Sequence, residues 1–180
     1  MHEEAFKFCA DMAIRTGQHL PEQGYALDIG GMDFNGTART LWPDLDWLVI
    51  DPIVKERMGV ESAIVDDTQY LNVDALDWIP QHTYDLVLCT EVFEHTPNWL
   101  QIIAKAHEAL QVGGYFVLTC AAIGREPHSI TGEGYPQPGE WYKNLNPVTV
   151  GDALHFSGFE SWIIYNPVSS DLYAYGIKKK

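Results

Sequence analysis

The feature that most constrains this sequence is a series of short apolar runs, each stopped by an acid or a glycine and separated from the next by helical spacing. Tyr25-Ala26-Leu27-Asp28-Ile29 halts at Gly30-Gly31, Trp47-Leu48-Val49-Ile50 at Asp51, and Leu86-Val87-Leu88-Cys89 at Thr90-Glu91. Runs that are apolar at consecutive positions bury both faces, as parallel strands covered by helices do; a sheet with one wet face alternates instead. The sequence is therefore read as α/β: a mostly parallel sheet of about seven strands, helices on both faces, and an antiparallel hairpin near the C-terminal end. With 180 residues, no internal repeat and no Ser/Gly linker, residues 1–180 are read as one domain.

Local signals place the other elements. Glu3–Arg15 has helical spacing at Phe6, Cys9 and Ala13, with Gly17 where the helix ends. Thr37–Trp42 and Val54–Met58 are short helical candidates, Gly59 and Asp66-Asp67 interrupt the chain beyond the second of them, and Gln69–Val73 is a strand. Thr96-Pro97 and Asn146-Pro147 read as a capping residue followed by proline in the first turn. Gly113-Gly114 turns the chain into the strand Tyr115–Cys120, Gly158 closes the last helix, and Glu160–Tyr165 and Leu172–Ile177 form the hairpin. Between these lies Ala121–Asn146, long for a structureless connection and thus expected to border a binding site.

Composition narrows the function classes. Eleven Lys+Arg stand against 25 Asp+Glu, a net charge of −14 that repels phosphate backbones and disfavours a nucleic-acid partner. Apolar runs such as Trp47–Ile50 are far short of the roughly 20 residues of a membrane span. Met1-His2-Glu3-Glu4 lacks the basic start of a secretory leader, and a cytoplasmic location is expected. Cys9, Cys89 and Cys120 are odd in number and widely spaced, which reads as buried thiols. Lys178-Lys179-Lys180 reads as a solvated tail.

In a doubly wound sheet, ligands bind outside the carboxyl ends of the strands. Here those ends carry Asp28, Asp51, Asp74 and Thr90-Glu91, so they are expected to line one crevice. The turn Gly30-Gly31 lets backbone approach a ligand, but Met32 and Asn35 stand where a G-x-G-x-x-G dinucleotide fingerprint needs glycine. Asp28, just before the turn, suits an ammonium group, and Asp51, about 20 residues past Gly30, is spaced to accept both hydroxyls of a ribose.

Taken in order, Ala26-Leu27-Asp28-Ile29-Gly30-Gly31, Val49-Ile50-Asp51, Asn72-Val73-Asp74-Ala75-Leu76-Asp77, the segment Tyr84–His95 and Ala109-Leu110-Gln111-Val112-Gly113-Gly114-Tyr115 resemble the motifs of class I S-adenosylmethionine-dependent methyltransferases of the small-molecule type. The resemblance implies a Rossmann-like doubly wound fold with S-adenosylmethionine as cofactor. It assigns Asp28, Gly30 and Gly31 to the methionine moiety, Asp51 to the ribose, Asp74 and Ala75 to the adenine edge, and Thr90 and Glu91 to the sulfonium. The family commonly has further glycines where this chain has Met32 and Phe34. That departure motivates a second reading, a non-catalytic binding or regulatory module of the same fold.

Methyl transfer needs alignment and, for a hydroxyl or protonated amine, a base. His95, after the fourth strand, and His128, in the long loop, are the catalytic candidates; Tyr135, Trp141 and Tyr142 are candidates for enclosing a small-molecule acceptor. Thr90-Glu91-Val92-Phe93 stands where a base-flipping enzyme would carry an N-P-P-Y-type pattern. No metal is expected, because Glu91 and Glu94 flank Phe93 and His107 reads as part of a solvated helix face.

Overall fold

A computed structural model describes residues 2–33, 36–131 and 134–180. In chain order the elements are α1 (Glu3–Thr16), β1 (Gly24–Ile29), β2 (Leu45–Ile50), α2 (Val54–Met58), β3 (Ser62–Val65), β4 (Thr68–Leu71) and β5 (Tyr84–Thr90). There follow α3 (Trp99–Ala109), β6 (Leu110–Ala121), α4 (Pro147–Phe156), β7 (Phe159–Asn166) and β8 (Asp171–Lys178), with 3-10 turns at Arg39–Leu41 and Phe93–His95.

One eight-stranded sheet runs β3-β4-β2-β1-β5-β6-β8-β7. β4, β2, β1, β5 and β6 are parallel; β3 runs against β4, and β8 against both β6 and β7. The chain builds outward from β1 through β2 to β4, then crosses to β5 on the other flank. The reversal between β1 and β5 opens a crevice at their carboxyl ends.

Alternation along the strands sorts the core into two layers. Ala26, Leu86 and Leu88 face α1, whereas Leu27, Ile29, Val87 and Cys89 face α3 and α4. α1 buries Ala5, Phe8, Cys9 and Met12, spaced i, i+3, i+4, i+7. This corrects the Phe6–Ala13 face: stacking of Phe8 on Tyr173, with ring centroids 5.1 Å apart, sets the helix rotation and leaves Phe6 exposed. Glu3 and Glu4 occupy the positive end of α1, and Lys7 reaches both at 2.8 and 3.1 Å. All three cysteines are free and buried.

The strand count is one above expectation because of β3. Asp66 and Asp67 do not interrupt the chain there; both adopt left-handed backbone (φ 47° and 62°), the conformation of a two-residue hairpin turn between twisted strands. Gly113-Gly114 marks a register shift inside β6, which follows α3 directly. α3 starts at Trp99 behind Asn98, and Thr96 Oγ1 accepts from the Asn98 N–H rather than capping the helix. α4 begins as expected, with the Asn146 side chain accepting from Val148 N and Pro147 in the first turn.

Two further readings are corrected. His107 is half-buried with its ring edge-on to Phe159 at 5.1 Å, so its helix face is not solvated there. Lys178 belongs to β8, and its Nζ donates to the carbonyls of His107 and Leu110 at 2.7 Å, tying the strand to the end of α3. Among the described residues, no helix is long and apolar enough to cross a membrane.

Candidate active site

The crevice is a cavity of about 950 Å³, within the size range of small-ligand sites. Its walls include Asp28 near the end of β1 with Gly30 and Gly31 after it, Asp51 after β2, Asp74 and Ala75 after β4, and Thr90 at the end of β5 with Glu91 after it. Every residue assigned to the cofactor by resemblance thus lies on this one wall.

The turn after β1 is shaped by two close approaches. Gly30 has φ +70°, and a Cβ there would stand 2.5 Å from Val92 Cγ2; at Gly31 a Cβ would stand 2.2 Å from the Asp28 carboxyl carbon. Met32 needs no such freedom, because its φ is not positive, and its N–H donates to Asp51 Oδ2 at 3.2 Å. Phe34 lies outside the described residues. Asp51 Oδ1 accepts from Ile53 N at 3.0 Å. Burial pushes the Asp51 carboxyl upward, and the two N–H donors oppose it. A carboxylate has about four lone-pair directions, so two remain for a ligand diol.

Asp28 is not the free carboxylate that the sequence reading expected. Arg39 Nη1 donates to Asp28 Oδ2 and to the Gly31 carbonyl, both at 2.6 Å, while Nη2 donates to the Tyr70 hydroxyl at 3.0 Å. The ion pair is buried on both sides. Burial raises the Asp28 carboxyl and Arg39 opposes the shift. Among the described residues Oδ1 has no hydrogen-bond partner, so half of the carboxylate is available to a cation.

At β5, Glu91 holds φ +59°, a strained setting for a non-glycine residue that recurs at functional sites. Thr119 fixes it: Glu91 N donates to the Thr119 carbonyl at 2.8 Å, and Thr119 Oγ1 donates to Glu91 Oε1 at 2.6 Å.

The opposite wall comes from 124–130, including His128, together with His95 after β5. The His95 and His128 rings meet edge to face at 5.1 Å, and Tyr142 packs edge-on against both. Burial, and after it His128, lower His95 to about 4, so it is neutral across the physiological range. Tyr142 supports the histidines from behind, with its hydroxyl donating to Asn144 Oδ1 at 2.8 Å. Tyr135 and Trp141 are exposed and lie outside the cavity lining. Among the described residues of this loop, 124–130 line the cavity and 134–146 do not; in the second arm Glu140 is held by Ser129 Oγ and Gln137 N.

Sequence reasoning missed His2, Arg39, Arg125 and the β7–β8 turn, 168–170. His2 Nε2 lies 3.1 Å from Asp171 Oδ2 and 3.6 Å from Glu91 Oε2, and Arg125 Nη1 lies 3.4 Å from Asp171 Oδ1. The contact with Asp171 raises His2 against the effect of its burial; for Asp171, burial pushes upward, but its His2, Ser169 and Arg125 partners outweigh that and lower it. The link is therefore complete between the unfolded carboxyl and imidazole values, about 3.9 and 6.5. It weakens as pH rises through the raised His2 value or falls through the lowered Asp171 value. Against a His2→Gln variant, the wild-type advantage in Tm is expected to be largest near pH 5.5 and to fade by pH 9. A constant difference from pH 5 to 9 would show that His2 carries no folded-state charge.

Parallel strands with a crevice at the switch point and acids at successive strand ends define a class of nucleotide-cofactor folds; a family model narrows it. The model described as a methyltransferase domain matches residues 1–162, and the chain belongs to that family. A curated relative, the ubiquinone biosynthesis O-methyltransferase of Marinobacter nauticus, is 30% identical over 127 residues, covering 62% of this chain and 52% of its own. The chain thus spans about half the length of that relative. Two solved structures share the fold. The Burkholderia thailandensis 1,6-didemethyltoxoflavin N1-methyltransferase, solved with bound 1,6-didemethyltoxoflavin and S-adenosylhomocysteine, has TM-score 0.66 at 13% identity, covering 98% of this chain and 79% of its own. DhpI, solved with S-adenosylhomocysteine, has TM-score 0.65 at 17% identity, covering 97% and 86%.

Proposed function

We propose that this chain is an S-adenosylmethionine-dependent methyltransferase that moves the sulfonium methyl to a small-molecule acceptor. The observation that carries the reading is the convergence of Gly30, Asp51, Asp74 and Glu91, from four successive parallel strands, on one cavity. Asp51 has lone pairs left for the ribose hydroxyls, Asp74 and Ala75 border the adenine, and the glycine turn with Asp28 Oδ1 receives the methionine end. Thr90 and Glu91 stand beside the sulfonium.

The cofactor brings the activated methyl, so the protein has to align nucleophile, carbon and sulfur in one line and keep water out. His95 and His128 face the acceptor end, where a hydroxyl nucleophile has a proton to lose. An oxygen acceptor is favoured by the curated relative, an O-methyltransferase. A small molecule is favoured by the size of the cavity and by the net charge of −14, which is unsuited to nucleic acid. Cytoplasmic placement is part of the proposal and leans on the three unpaired thiols.

Calorimetric titration with S-adenosylhomocysteine, with NAD in parallel, tests the cofactor. Micromolar binding of the former alone is expected. Binding of NAD alone, or of neither, would overturn the reading.

A further inference from the structure

The polar cluster at the acceptor end has more to offer than two imidazoles. Ligand atoms of Glu94, His95 and His128 all lie within 4.8 Å of one another. Glu94 is fully buried; Oε1 accepts from Ala121 N at 2.9 Å, but Oε2 has no hydrogen-bond partner among the described residues. His95 Nδ1 is likewise buried and unpartnered. His128 Nδ1 lies 3.3 Å from the Glu126 carbonyl, an arrangement that turns Nε2 into the free lone pair, as in histidines that hold metals. Burying a carboxylate oxygen without a donor costs several kcal/mol unless something positive meets it. Among the described residues no Lys or Arg pairs with Glu94.

We infer that Glu94, His95 and His128 form a binding site for a divalent first-row transition ion. Two imidazoles with one carboxylate suit ions of the zinc or manganese type, whereas magnesium and calcium prefer oxygen shells. Metal–ligand distances of about 2.1 Å require the three side chains to close in by rotation. Three protein ligands leave positions open, and His95 and His128 both border the cavity, so the open side faces the acceptor. The sequence reading missed the cluster because it weighed His107, in the last turn of α3, as the second imidazole; His128 arrives from a loop more than thirty positions beyond His95.

The site is read from the side chains alone; its role rests on the methyl-transfer reading above. A hydroxyl bound to the ion would ionise more readily and give its proton to solvent water. Its oxygen would then bond to the methyl carbon as the carbon–sulfur bond breaks, leaving a neutral thioether.

The test is a Co²⁺ titration of the chelator-stripped full chain, followed by visible absorption, with S-adenosylhomocysteine titrated into the same samples. One equivalent is expected to bind, with ligand-field bands. His95→Gln, His128→Gln and the isosteric Glu94→Gln should each weaken binding at least tenfold while keeping a wild-type circular dichroism spectrum, and His107→Gln should change nothing. No Co²⁺ binding at millimolar concentration, or binding indifferent to folded His95 and His128 variants, would overturn the inference. Retained S-adenosylhomocysteine binding in that case would leave the methyltransferase reading intact; its loss in wild-type protein that still binds Co²⁺ would remove that reading and leave the ion site.

Discussion

Replacing Arg39 with methionine is expected to destabilise the fold by about 3–5 kcal/mol, seen as a lower midpoint in urea at an unchanged slope. The loss comes less from the missing attraction than from what stays behind. Asp28 is buried at the end of the central strand, and Arg39 is its only cationic partner among the described residues. Without the guanidinium, Asp28 must either remain an uncompensated charge or bind a proton, and the Gly31 carbonyl and Tyr70 hydroxyl lose a donor as well. Adding Asp28→Asn to Arg39→Met should recover a substantial part of the stability, because it removes the stranded charge. A single variant within about 1 kcal/mol of wild type would show that the pair is hydrated in solution.

Asp51→Ala is expected to weaken S-adenosylhomocysteine binding by more than about tenfold, measured calorimetrically. Two effects add. The ribose hydroxyls lose a charged acceptor, and the N–H groups of Met32 and Ile53, which now point at the carboxylate, lose theirs. Asp51→Asn separates the two, since its single oxygen can serve only part of that set; an intermediate loss is expected. If folded Asp51→Ala protein binds with wild-type affinity, Asp51 does not hold the ribose.

Legibility in the sequence followed the range of the interaction. Tyr84–Thr90 and Gly24–Ile29 were readable because an apolar run and its stop signal sit side by side. The acids at the strand ends were readable for the same reason, and the parallel order of the strands then brings them together. β3 was missed because Asp66-Asp67 looks like a break to composition and is a turn only through its backbone angles. Arg39, eleven positions after Asp28, carries no local sign of its partner. Tyr135 and Trp141 were selected for residue type on a loop whose path depends on the Ser129–Glu140 and Asn144–Arg125 contacts, and that path leaves both rings exposed. His2 met Asp171 across nearly the whole chain, a pairing that no local pattern encodes.

The sheet order also governs how this protein comes into being. β1 must wait for β5 to supply its second neighbour, and β6 waits longer still, since Tyr115 pairs with Ile177. Such distant pairings close slowly. On the ribosome, the glycine turn and Asp51 emerge early, but β6 remains an open edge, prone to mispairing, until β8 has left the tunnel. Because the 168–170 turn follows every other residue lining the cavity, the pocket is completed only after β7 has emerged. Ligand capture by this chain is therefore a report that the turn between β7 and β8 has reached its place.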